Sequence, residues 1–391
     1  MRENYKLYFN LKGKALLVGN LTREKLGQNQ EKHFFEYAPD WLFDGYSLGS
    51  DLPLQQQVFE TDRTHPYFGF MYDIMPGITA RKIVQRVAEN PFNNIDLALN
   101  AKDTLRPGAL ELQVLNEVPL SAKVIPKVAL DLDRLIRGHM NIEDIETLYN
   151  ASDALPGERF KLSYMSGKNL NVIAKFNTPD PQRNLVTWEI VALVLAKKLG
   201  LSTVHGSLGS FRSMDALVTE RFDRDAKGHK IGYASAKALM AAHDPAEFSW
   251  AQISDILTQD GDSPKKDLLE LWQRLVFFMC IGNVNDDLSN IGFIRARYGW
   301  RLAPIFSLTP TPLTAARRHH ATAVTDDCDR PDLLKAIEIA RYFGLTVPKA
   351  RAEAMRIAAF VHKNWEKTAQ ECRADPLQIE TMKKAFEPLE L

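Results

Sequence analysis

The chain has 391 residues, with 49 Lys+Arg against 49 Asp+Glu and so no formal net charge. Apolar residues make up 45% of it and charged residues 25%, which excludes a disordered chain and calls for two or three folded domains. Zero net charge also argues against a broad nucleic-acid-binding surface, though a local patch is compatible with it. Cys280, Cys328 and Cys372 lie far apart without CxxC spacing, so neither a disulfide framework nor a structural zinc site is indicated. The start, MRENYKLYFN, has no apolar signal-like core. The most apolar run, 275–281, is far short of the roughly 20 residues that span a bilayer. The sequence reads as cytoplasmic, with no membrane partner.

In chain order, Tyr5, Leu7, Phe9 and Leu11 alternate ahead of Gly13 and Ala15–Val18, which predicts a hairpin. HFFEYAPDWL predicts a short strand stopped by Pro39, and YFGFMYDIMPG is a mixed apolar segment. Ile83, Val84 and Val87 predict a helix over 79–88, and connecting helices are predicted over 125–150. KLSYM and LNVIAKF read as strands around the turn SGKN. A helix is predicted over 184–201, capped by Gly200, and then two short strands, SLGSFRS and ALVTERF. Beyond about 230 the pattern is helical, with helices over 235–242, 249–258, 267–281, 332–343, 348–370 and 376–386. A hairpin, IGFIR-ARYGW-RLAPIF, interrupts it. The fold class is therefore α+β, a protein-kinase-like two-lobed fold with a small β-rich lobe and a larger helical lobe. A small N-terminal α+β domain precedes it. The division is 1–120, 121–224 and 225–391.

A kinase needs a backbone N–H loop over the phosphates, a strand lysine and a D-x-x-x-x-N loop, with a metal-binding Asp beyond the next hairpin. The strand lysine here is Lys175 in VIAKF, and Glu189 on the following helix stands where a pairing glutamate would. DALPGERFK offers Gly157 and Lys161 for phosphate, although Pro156 supplies no N–H. In LWQRLVFFMCIGNVNDDLSNIGFI, Asn285 and Asn290 keep the D-x-x-x-x-N interval, and Ser307 follows the hairpin.

These segments, in this order, resemble the HipA-like serine/threonine kinases, the toxin components of bacterial toxin–antitoxin pairs, over nearly the whole chain. DWLFDGYSLGSDLPL, YFGFMYDIMPG and DTLRPGALEL resemble that family's N-terminal domain. GERFK resembles its phosphate loop, IAKF its lysine strand and VTERFDR its hinge. RLVFFMCIGNVNDDLSNIGFI resembles its catalytic loop and LAPIFSLTPTP its metal loop. The resemblance implies nucleotide-binding roles for Gly157, Lys161, Lys175, Glu189, Glu220, Phe222 and Asp223. It also implies metal positions at Asn290 and Ser307, ATP and Mg²⁺ as cofactors, and a helix-turn-helix antitoxin or a kinase paralogue as partner.

The departures decide the expected activity. Asn285 stands where the family has its catalytic Asp, Ser307 where it has the metal-binding Asp, and Asp287 where a His usually follows. An amide cannot act as a general base, and serine is a poor Mg²⁺ ligand beside carboxylate, so Mg²⁺ binding is doubtful. Asp286 and Asp287 are the carboxylates near enough to compensate. The sequence reads as a pseudokinase. An active serine/threonine kinase and a pure interaction module without nucleotide are the alternatives.

The remaining clusters have plainer readings. Arg317, Arg318, His319 and His320 read as a solvated basic turn, and Asp326, Asp327, Cys328 and Asp329 as an acidic surface loop. Trp41, Trp272 and Trp365 read as core, and Arg221 and Arg224 as structural ion-pair partners.

Overall fold

A computed structural model describes residues 2–27, 30–75, 77, 106–114, 159–166, 170–177, 184–211, 214–244, 247–313 and 319–389. The chain forms two compact units. One comprises Met1–Phe176, Ser210–Met214 and Asp223–His243; the other comprises Asn177–Gly209, Asp215–Phe222 and Asp244–Leu391. The helices predicted over 79–88 and 125–150 lie outside the described residues, as does Gly157.

The first unit begins with an antiparallel sheet. Strands β1 (Arg2–Leu11) and β2 (Lys14–Lys25) pair from Arg2↔Glu24 to Leu11↔Lys14. Their two-residue turn has positive φ at both Lys12 (51°) and Gly13 (84°), the combination that matches strand twist and favours glycine. Alternation puts Tyr5, Leu7 and Phe9 in the core. β3 (Glu31–Tyr37), β4 (Val58–Glu60) and β5 (Leu110–Val114) complete the order β4-β3-β2-β1-β5. Pro39 does more than stop β3: it starts helix α1 (Pro39–Asp44), where its missing N–H costs nothing. Trp41 on α1 is buried against Phe9, with ring centroids 5.6 Å apart. The mixed apolar segment contains helix α2 (Gly69–Ile74). A Cβ on Gly69 would sit 2.1 Å from the Ala238 carbonyl oxygen, so glycine permits α2 to approach the short helix Ala236–Leu239. That helix is shorter than the predicted 235–242: Ser235 ends a strand, and Ala241 has a positive φ of 52° that breaks the helix at the other end. β6 (Lys161–Ser166) and β7 (Leu170–Phe176) form an antiparallel hairpin, as predicted.

The second unit contains helix Leu185–Leu199, capped by the Asn184 side chain at one end and by Gly200 (φ +94°) at the other. Strands Gly206–Phe211 and Met214–Glu220 are neighbours in a sheet. The helices Trp250–Asp260, Pro264–Cys280, Leu333–Glu338, Val347–Glu371 and Pro376–Met382 follow. Val347–Glu371 packs against both Pro264–Cys280 and Leu185–Leu199. The predicted ends of 332–343 and 376–386 tighten into 3₁₀ turns, Ile339–Phe343 and Lys383–Ala385. Trp272 and Trp365 are buried, as read from their neighbours; Trp365 stacks on Phe386 at 4.7 Å. Gly292–Arg295 and Trp300–Leu302 form the predicted hairpin, with Arg295 opposite Trp300. Among the described residues, no helix is long and apolar enough to cross a membrane.

Candidate functional site

The D-x-x-x-x-N-like loop leaves the buried helix Pro264–Cys280 through Gly282. Gly282 has φ +62°, and a Cβ there would meet the Thr311 carbonyl oxygen at 2.6 Å. Only glycine suits that turn. Asn283 is buried, and its side-chain oxygen accepts from the Thr309 N–H at 2.6 Å. The Thr311 N–H donates to the Gly282 carbonyl at 3.1 Å. These bonds stitch the loop 282–290 to the segment that follows Ser307. Phe306, beside Ser307, stacks on Phe222 at 5.3 Å, and Glu220 is exposed at the end of its strand.

Within the loop the candidate residues have different surroundings. Asn285 is exposed, and its carbonyl lies 3.4 Å from the Asn290 side-chain nitrogen. Asp286 is 1% exposed. One of its oxygens accepts from Trp250 Nε1 and faces His320 Nδ1, both at 2.8 Å; the other accepts from the Ala321 N–H at 3.1 Å. Thr322 adds a bond from its hydroxyl to the Asp286 carbonyl at 2.8 Å. Asp287 is half-buried, and its Oδ1 accepts from the Ser289 N–H at 2.7 Å, capping the 3₁₀ turn Leu288–Asn290.

His320 thus corrects the reading of a solvated basic turn. It is 4% exposed and is held against Asp286. His319 is exposed and paired with Asp329 at 2.8 Å; Arg317 and Arg318 lie outside the described residues. Sequence reasoning missed Trp250, Asn283 and His320 because each acts through a segment distant in the chain. The signal in reach was the small-residue run Ala321-Thr322-Ala323 after His320, whose Ala321 N–H and Thr322 hydroxyl both bond to Asp286. Asp326, Asp327 and Asp329 are exposed, and no group of three or more metal-ligating side chains occurs among the described residues.

The strand exits are clamped from below. Arg274 is buried and donates to the Ala303 carbonyl at 2.8 Å, with Glu270 at 2.5 Å as its counter-ion. Burial pulls the Arg274 guanidinium below its ordinary value, against the opposing effect of Glu270. Asp267 takes Arg301 through two bonds, at 2.6 and 3.1 Å. Burial also pushes the Cys280 thiol up to about 12. Glu189 is completely buried on its helix, a place where a carboxylate needs polar company.

In the first unit, Lys161 and Lys175 stand directly opposite each other on β6 and β7. Lys175 is 5% exposed, whereas Lys161 is half-buried. Asp223 is buried, accepting from the Gly108 N–H at 2.8 Å and from Arg224 at 2.9 Å. Arg224 is therefore the ion-pair partner expected. Asp223 holds the 106–108 backbone, to which Arg224 also donates at the Arg106 carbonyl.

Comparison with known proteins agrees with the resemblance. Residues 152–371 match the HipA-like C-terminal domain. A Sinorhizobium fredii protein named "Putative kinase Y4mE" is 23% identical over 325 residues, covering 75% of each chain. The HipA of Shewanella oneidensis MR-1, solved with HipB and its operator DNA, matches with a TM-score of 0.72 at 16% identity. That match covers 98% of this chain and 95% of the other. Its extent shows the α+β, kinase-like fold. The Helicobacter pylori kinase CtkA gives a TM-score of 0.38 at 17% identity, over 59% of this chain and 91% of its own.

Proposed function

Because the chain belongs to the HipA-like C-terminal domain family, we propose that it is a pseudokinase. It binds nucleotide, protein or both, while phosphoryl transfer is lost or very slow. The observation that carries this reading is the pair Asn285 and Ser307, an amide and a hydroxyl at the positions of the base and the metal ligand. Losing a general base costs about 10²–10⁴ in rate. The neighbouring carboxylates are poor substitutes: Asp286 is buried on three donors and Asp287 caps its own turn. Asn290 and Ser307 give Mg²⁺ no carboxylate, and Mg²⁺ is usually held by one or two. This donor set does not fit the ion.

Nucleotide binding draws support from Lys161 and Lys175. The β6–β7 register sets the two lysines directly opposite each other, which brings two cationic side chains to one place on the hairpin. Gly157, Glu189, Glu220, Phe222 and Asp223 carry nucleotide-binding roles by resemblance alone, Asp223 as a structural support. A helix-turn-helix antitoxin is the partner favoured by the HipB complex of the Shewanella relative; a kinase paralogue is the other. With zero net charge overall, operator contacts would fall mainly to the antitoxin. The division near residues 120 and 224 is part of this reading.

The test is phosphotransfer from labelled ATP with Mg²⁺ or Mn²⁺, beside thermal melting with nucleotide alone and with nucleotide plus metal. Stabilisation by nucleotide alone, without transfer, is the expected result. Turnover at an ordinary kinase rate that Lys175→Ala abolishes would make the chain an active kinase and sink the reading. No shift in melting under any condition would make it a pure interaction module. Asn285→Asp combined with Ser307→Asp should restore measurable transfer.

A further inference from the structure

The hairpin after the candidate loop carries chemistry that phosphoryl transfer does not use. Its sequence, IRARYGWRL, puts three arginines, a tyrosine and a tryptophan within nine residues. Tyr298 is 76% exposed, and the Arg297 guanidinium lies over its ring at 5.0 Å. Arg295 lies over Trp300 at 5.4 Å.

The tip is held in place rather than loose. Ala296 donates to the Gly299 carbonyl at 2.9 Å to close the turn. A Cβ on Gly299 would meet the Asp260 carbonyl oxygen at 2.3 Å, so the turn lies directly on the 260–262 backbone. The Asp262 N–H donates to the Trp300 carbonyl at 2.9 Å, and Asp262 Oδ1 accepts from the Tyr298 N–H at 3.0 Å. Three and four residues beyond Asp262 are Lys265 and Lys266, both exposed on the first turn of helix Pro264–Cys280. Lys265, Lys266 and Arg297 form no ion pair among the described residues. Nearby acids are largely committed: Asp262 to Tyr298 and Ser263, and Asp267 to Arg301. The exposed acid on the same loop is Asp260.

We propose that this tip, with the first turn of the helix, is a docking surface for single-stranded nucleic acid. The Tyr298 ring stacks on an unpaired base, while Arg297, Lys265 and Lys266 contact the adjoining phosphates. Rigid aromatic platforms flanked by cations bind single strands in this way with little sequence preference. An acidic peptide would use the cations but has no need of an exposed ring lying beneath a guanidinium. A duplex keeps its bases stacked and offers Tyr298 nothing to pair with. The surface is independent of the state of the nucleotide pocket.

The experiment is fluorescence anisotropy of the full chain with a labelled oligo(dT) of about 12 nucleotides, titrated over a range of salt. Three phosphate contacts predict a slope of about −2 in log K against log salt. Tyr298→Ala should weaken binding about tenfold or more with the slope unchanged, whereas Tyr298→Phe should bind as the parent does. Lys265→Ala with Lys266→Ala should flatten the slope by about 1.4. These side chains are exposed, and a circular dichroism melt of each variant verifies the fold. Three results overturn the proposal. They are no anisotropy change at low salt, equal binding by Tyr298→Ala, and polyglutamate or duplex bound as tightly as the single strand.

Discussion

Asp286→Ala is the sharpest perturbation of the candidate loop. The side chain is 1% exposed and satisfies three buried donors: the Trp250 indole, the His320 imidazole and the Ala321 backbone N–H. A carboxylate only accepts, so His320 carries its proton on Nδ1. Truncation strands all three donors in a site closed to water, and each stranded group costs about 1–3 kcal/mol. Relaxation of the cavity recovers part of that sum, so the expected loss is about 3–5 kcal/mol. Asp286→Asn is the informative companion. Its amide oxygen can serve the indole and the imidazole, but its NH₂ would then face the Ala321 N–H, one mismatch of about 1–3 kcal/mol. Equilibrium urea unfolding at neutral pH measures both variants, and His320→Ala on top of Asp286→Ala completes a double-mutant cycle. The cycle should show strong coupling, because the two side chains share one bond. If Asp286→Ala stays within about 1 kcal/mol of the parent, or its cost is the same with and without His320, the cluster does not hold the loop. In that case Asp286 would again be a candidate to replace the missing base.

Two further outcomes are expected. Burial, outweighing its bonds to Ser235, pushes the Asp73 carboxyl up to about 6 from an ordinary 3.8. The folded chain then keeps a proton that the unfolded chain releases. This contribution to stability is full below about pH 4 and is lost as pH rises to about 6, roughly 3 kcal/mol in all. Urea midpoints across that window should show the fall. Asp73→Asn, which keeps an acceptor for the Ser235 N–H, should flatten it; an unchanged profile would refute the assignment. The second outcome concerns the thiols. With Cys280 buried and its thiol pushed to about 12, native protein at about pH 8 should leave it unmodified by a thiol reagent, whereas Cys328 and Cys372 react. Fast labelling of Cys280 would mean that the loop-bearing helix opens.

Local signals were legible wherever one stretch of chain sufficed. Alternation placed Tyr5, Leu7 and Phe9, the Gly200 cap ended its helix, and the order of motifs from GERFK to LAPIF marked the family. Pro39 was read as a stop because strand context hid its other role, that of a helix start. His320 was misread for a deeper reason. Beside His319, and after two arginines, it looks like part of a polar turn, and no neighbour in sequence contains the acid that buries it.

The sequence by itself determined which atoms could take part in the chemistry. An amide at 285 and a hydroxyl at 307 are covalent facts, and no packing turns either into a carboxylate. Only the tertiary structure decided what the neighbouring carboxylates were free to do. Asp286 and Asp287 are adjacent and chemically alike, yet one is buried on three donors from distant segments while the other caps its own turn. The physical reason is that a side chain's identity is local, whereas its burial and its partners depend on which remote segments the fold brings back to it.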